Sequence, residues 1–168
     1  MRDRIIILAK RKKLHLLQNK NNSYHDSIQD LENEKKRSLQ HYLDNEKNLP
    51  EIHRQGQNAT IELERLVKND FKNIDLEIDL IKYKVERGDF NIKINVDRIL
   101  SHVETQQDEI RVRCLVDKIV STVRQEKYVN LVHEKVNKEI SDKDSHRLVL
   151  EQKIQENNKT MSEIKNYL

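Results

Sequence analysis

The chain has 168 residues, of which 36% are charged, 35% hydrophobic and only 4% aromatic, with a formal net charge of +3. Two glycines, one proline and one cysteine supply too few turn formers for a sandwich, a barrel or a doubly wound α/β fold. The charged, aromatic-poor profile that remains is that of long helices: an all-α, elongated coiled-coil chain, arranged as a long helical hairpin or a three-segment bundle with few loops.

The first expected segment is a basic helix over residues 1–49. Ile7, Leu14, Asn21, Ile28 and Tyr42 share one heptad position, with Lys35 between the last two, and Leu17, Tyr24 and Leu31 hold the complementary one. Asn21, polar within an apolar seam, reads as a register-fixing residue. The pattern weakens after Lys35, where a four-residue slip brings in Leu39 and Leu43. Pro50 disfavours helical geometry in the residue before it and is expected to end this helix, with the break running to Gly56.

A central helix is expected over residues 57–88, with Asn58 as N-cap and Gly88 at its C-terminus. Its seam is the most regular in the chain: Val67, Phe71, Ile74, Ile78, Ile81 and Val85 are spaced 4-3-4-3-4. Phe90, Ile92, Ile94 and Val96 then alternate, as a short strand would, but Ile92, Val96, Ile99 and Val103 fit a helix equally well. The helical reading extends a third segment over residues 95–168. Val112, Val116, Val120 and Val123 mark a face buried on more than one side. The pattern pauses at Ser141–Ser145, where a kink is expected. Leu150, Ile154, Asn157, Met161, Ile164 and Leu168 form the last seam, which runs to the final residue without a cap, as in a longer protein or an end buried on a partner. At 1.5 Å per residue the three helices would measure about 70, 45 and 105 Å. Helices so unequal cannot all be covered within one chain, so the longest is expected to overhang onto another.

Candidate sites are few. Lys10, Arg11, Lys12 and Lys13 form a basic cluster flanked by Arg2, Arg4 and Lys20. Residues 1–20 hold seven Lys and Arg against one acid, whereas the rest of the chain holds 25 against 28. The positive charge is thus an N-terminal property, suited to an acidic protein surface, to anionic lipid or to nucleic acid, and the cluster also fits a nuclear-import pattern. Residues 1–23 contain no Phe, Tyr or Trp to stack on a base, which weakens the nucleic-acid reading. Ile5 to Leu8 is too short for a signal-peptide core or a membrane span. With Leu14, Leu16 and Leu17 it could form an insertable face, although those leucines suit the heptad seam as well.

Two glycines 32 positions apart exclude a P-loop and a dinucleotide fingerprint. Asp75, Glu77 and Asp79 superficially resemble a calcium loop, but Leu80 stands where its glycine belongs, and alternate residues of a helix diverge. The seven histidines are scattered, and His133-Glu134 is followed by Asn137 where a zincin has its second histidine. Cys114, between apolar neighbours, reads as a buried thiol. No catalytic residue, metal or cofactor is expected.

The functional expectation is a non-enzymatic scaffold subunit that packs its seams on partner helices, in a homo- or hetero-oligomer of cytoskeletal, ciliary or tethering type. The seam residues expected to make those contacts are Ile7, Leu14, Leu17, Ile28, Leu31, Val67, Phe71, Ile74, Ile78, Ile81, Val85, Ile154, Met161 and Ile164. The alternatives are a module for anionic membrane surfaces and a nucleic-acid-associated subunit, both using the basic helix. The expected location is intracellular: cytoplasmic, cytoskeleton-associated or, through Lys10–Lys13, nuclear.

Overall fold

The computed structural model describes residues 2–168; Met1 of the expected 1–49 segment and the side chains of Arg2 and Asp3 lie outside what is described. Among the described residues there are five α-helices and no strand, and 88% of the chain is helical. The helices are α1 (Arg2–Glu46), α2 (Leu49–Val67), α3 (Ile74–Glu86), α4 (Lys93–Leu100) and α5 (Gln106–Tyr167). They form two compact units. One contains the chain up to His41 together with Lys135–Leu168, and the other is Tyr42–Glu134. The all-α, loop-poor fold class is observed, and so is the break expected after Gly88, but the first break lies earlier than expected and two others, at residues 68–73 and 101–105, were not expected.

The first break is the two-residue turn Lys47–Asn48, ahead of Pro50. Pro50 stands in the first turn of α2, which starts at Leu49, and is tolerated there because its missing N–H needs no partner in that turn. Glu51 follows and accepts hydrogen bonds from Arg54 and Gln55, which hold its carboxyl down at about 2. Gly56 is not a break either. It lies inside α2, where an added Cβ would stand 2.8 Å from Thr122 Oγ1 of α5. Glycine is used here for close approach of two helices.

The regular 4-3 spacing from Val67 to Val85 does not run along one helix. Val67 is the last residue of α2, Phe71 lies in the turn, and Ile74 opens α3. Asn69, Asp70 and Asn73 crowd this turn, and such side chains compete for backbone hydrogen bonds in helical conformations. Phe71 is fixed there by stacking on His102, with centroids 4.3 Å apart. Gly88 does end a helix. At φ +79° it closes α3 with the Gly88 N–H donating to Val85 O and the Asp89 N–H to Lys84 O, a Schellman cap.

Phe90 to Ile92 is neither strand nor helix, and α4 begins at Lys93. The expected third helix is interrupted at Ser101–Thr105, where Thr105 Oγ1 caps α5 by accepting the Asp108 N–H at 3.1 Å. No interruption occurs at Ser141–Ser145, which lies within the continuous helix α5.

The Tyr42–Glu134 unit has one core. Ala59, Leu63 and Val67 of α2, Ile74, Ile78, Ile81 and Val85 of α3, Val96 and Ile99 of α4, and Val112, Leu115, Val116 and Ile119 of α5 pack together. Cys114 is exposed, contrary to expectation, because Leu115 and Val116 take the inward positions. α5 contributes to both units: Val112, Leu115, Val116 and Ile119 are buried in one, and Leu150, Ile154 and Ile164 in the other.

Gly56→Ala tests the helix approach. Alanine favours the helix by about 0.5–1 kcal/mol, but overpacking a tight contact costs about 1–3 kcal/mol. The variant should therefore melt below the parent, and Thr122→Ala should restore part of the loss, with a coupling of about 0.5–3 kcal/mol in thermal unfolding. A Gly56→Ala protein that melts higher than the parent would show that the two helices have room to spare.

Candidate interaction surfaces

In the unit formed by α1 and the C-terminal part of α5, the side chains that turn inward on α1 are Lys10, Leu14, Leu17, Asn21, Tyr24, Ile28, Leu31, Lys35 and Ser38. Their steps alternate four and three without a slip. Leu39 and Leu43, expected in the seam, are 47% and 46% exposed, and Lys35 and Ser38 keep the heptad positions instead. The opposing face is Val136, Ile140, Lys143, Arg147, Leu150, Ile154, Asn157, Met161 and Ile164, again spaced four and three. The seam residues Leu14, Leu17, Ile28, Leu31, Ile154, Met161 and Ile164 are thus turned toward the chain's own second strand. Ile7 is exposed, and Lys10 takes the inward place one turn later.

Polar contacts across this face run antiparallel. Asn21 is buried; its Nδ2 donates to Asn158 Oδ1 at 2.9 Å, and its Oδ1 accepts from Asn157 Nδ2 at 2.8 Å. Further along, Arg147 bridges Glu32 at 2.6 Å and Glu151 at 2.8 Å, carboxylates that hold its guanidinium above its ordinary pKa, Glu151 the more strongly. Lys35 meets Asp144 at 2.8 Å, and Lys143 lies 3.7 Å from Glu34. The pause at Ser141–Ser145 in the sequence is therefore a charged layer of the seam. Such half-exposed pairs contribute little stability, typically 0.2–1 kcal/mol each, so their effect is on alignment.

The basic cluster divides. Lys10 lies over the Tyr167 ring, 2.7 Å from its centroid, whereas Arg11, Lys12 and Lys13 are exposed. Ile5, Ile6, Ile7 and Leu8 beside them are all exposed, as is Leu16.

In the Tyr42–Glu134 unit, the central seam is consumed by the core. Val67, Ile74, Ile78, Ile81 and Val85 are fully buried there and Phe71 packs against them, which leaves none of the six for a partner helix. The outward side of α3 instead carries Leu76, Leu80 and Tyr83, spaced four and three, with Leu76 and Tyr83 more than half exposed. Between Asp75 and Asp79, which are exposed, Glu77 is buried and accepts from Asn95 Nδ2 at 2.8 Å and from Arg98 Nη1 at 3.0 Å. Lys84 Nζ donates to Asn95 Oδ1 at 3.0 Å and completes a staple between α3 and α4. Sequence reading missed this role of Glu77; its place one residue before Ile78, on the edge of the apolar face, was the available signal.

The histidines are separate. His133 stacks on Tyr42 at 3.9 Å with its Nε2 buried and unpartnered, and His53 pairs with Glu126 at 3.0 Å. Among the described residues no three His, Cys, Asp or Glu side chains are placed to hold a metal ion, and no helix is long and apolar enough to cross a membrane. Comparison of the chain with protein families, with curated proteins and with solved structures finds no significant match.

Asn21 offers a direct test of the antiparallel seam. Asn21→Ala leaves its amide partners unsatisfied and should cost about 1–3 kcal/mol in urea unfolding. Replacing Asn21 and Asn157 together by Leu removes the polar groups on both strands and should recover that loss or exceed it. Equal losses in both variants would mean that the two amides do not face each other.

Proposed function

We propose that the chain is a non-enzymatic structural subunit that binds other helical chains within a larger intracellular assembly, of cytoskeletal, ciliary or tethering type. In this reading the α1/α5 pair is a two-stranded antiparallel coiled coil, and partner contacts are made by surfaces outside the two internal seams. The observation that carries the proposal is the stripe Leu76, Leu80 and Tyr83 on α3. It repeats at i, i+4 and i+7 on the side of the helix away from the core residues Ile74, Ile78, Ile81 and Val85. A helix needs one apolar face to join its own core. A second apolar stripe on the opposite side suits a second helical partner.

The placement of the seams changes which substitutions are informative. Aspartate at Ile74 and Ile78 would put carboxylates into a closed core and unfold the unit, since each buried charge costs several kcal/mol. Aspartate at Leu76 and Tyr83 leaves the core intact. Affinity purification of the full chain and of the Leu76→Asp, Tyr83→Asp variant, followed by mass spectrometry, tests the proposal. The parent should retain helical partners that the variant loses, with circular dichroism and melting temperature unchanged. Recovery of the same proteins by both would contradict a docking role for α3.

A further inference from the structure

Three regions were left without a role by the folding of the two units: the turn around Phe90, the stacked His133, and the N-terminal part of α1. The last carries the most. From Arg4 to His25 there is no acidic residue, and the cations Arg4, Lys10, Arg11, Lys12, Lys13 and Lys20 fall within that stretch. Only Lys10 belongs to the seam, over Tyr167; the other five are exposed.

Their arrangement around the helix is regular. Successive residues advance about 100°. Measured that way, the side opposite Lys10, Leu14 and Leu17 carries Ile5, Leu8, Lys12 and Leu16. Ile5 is 64%, Leu8 58% and Leu16 55% exposed. Arg4 and Arg11, seven residues apart, border this stripe on one side. Lys13 and Lys20, also seven apart, border it on the other. The result is an apolar line between two cationic rails, with Lys12 in its middle, on a helix already held from behind by α5.

We infer that this outer face of α1, residues 4–20, lies flat on anionic lipid bilayers. An amphipathic helix at an interface buries its apolar side chains about 5–10 Å deep, while long cationic side chains at its flanks reach up to the phosphate layer. Ile5, Leu8 and Leu16 supply the first contact, and Arg4, Arg11, Lys13 and Lys20 supply the second. Lys12 has a stem long enough to carry its charge out of the apolar line. Charge complementarity selects an anionic surface. The apolar stripe selects lipid over a nucleic-acid backbone, which would leave those side chains in water, and no Phe, Tyr or Trp precedes Tyr24 to stack on a base. This surface is separate from the α3 stripe and does not depend on the scaffold proposal.

Co-sedimentation of the full chain with vesicles of phosphatidylcholine alone and with added phosphatidylserine tests the inference. Binding should require phosphatidylserine and should weaken as salt rises. Changing Arg11, Lys12 and Lys13 to Gln should reduce partitioning about 100-fold at low salt, at roughly fivefold per charge. Ile5→Asp with Leu8→Asp should reduce it about tenfold or more per site while leaving the circular dichroism spectrum unchanged. Equal binding to both vesicle types, no binding to either, or full binding by the Ile5→Asp, Leu8→Asp variant would overturn it. So would absence of vesicle binding combined with retention of a DNA oligonucleotide or of polyglutamate, which would assign the cations to a soluble polyanion.

Discussion

The alignment of α1 against the second half of α5 is the constraint on which the first unit depends. Both faces alternate four and three, so apolar matching alone would tolerate a shift of one heptad. Such a shift would bring Asn21 opposite Leu150 and strand a buried amide, at a cost of about 1–3 kcal/mol. It would also separate Arg147 from Glu32 and Lys35 from Asp144. The individual ion pairs are half-exposed and weak, but a shifted register loses all of them with the amides. Apolar residues supply most of the attraction, while polar ones choose a single arrangement at some expense in stability.

The second unit solves a different problem with similar residues. Four short stretches of helix share one apolar core, and the turns between them rest on identifiable devices: a proline in a first turn, a glycine Schellman cap, a threonine N-cap. Gly56 lets α2 approach α5, and the Glu77–Asn95–Lys84 contacts tie α3 to α4 where apolar packing alone would leave α4, of only eight residues, marginal.

The fold class was legible because composition is enough to establish it: too few glycines and prolines for many turns, and heptad spacing over long stretches. Helix boundaries were less legible, and for a physical reason. The spacing of Val67, Phe71, Ile74 and Ile78 is the same whether it lies along one helix or turns a corner between two, since both arrangements direct these side chains inward. Asn69, Asp70 and Asn73 carried the missing signal. The polar run around Lys143 looked like a kink because seam positions were assumed to be apolar. Its partners lie over 100 positions away, at Glu32, Glu34 and Lys35, and no local reading joins them. For the candidate surfaces, the basic cluster was visible at once. That Leu14 and Leu17 turn inward while Ile5, Leu8 and Leu16 remain outside became apparent only once α5 was in place.

The antiparallel register is most directly tested by distances between spin labels at exposed positions, in a chain with Cys114 replaced by Ser. Labels at Gln18 and Lys159, and separately at His25 and Gln152, should give the same distance, because both pairs lie at one register of the seam. Labels at Gln18 and Gln152 should lie further apart, displaced along the axis by seven residues, or about 10 Å. A Gln18–Gln152 distance as short as the other two, or unequal distances for the two matched pairs, would contradict the antiparallel alignment on which the account rests.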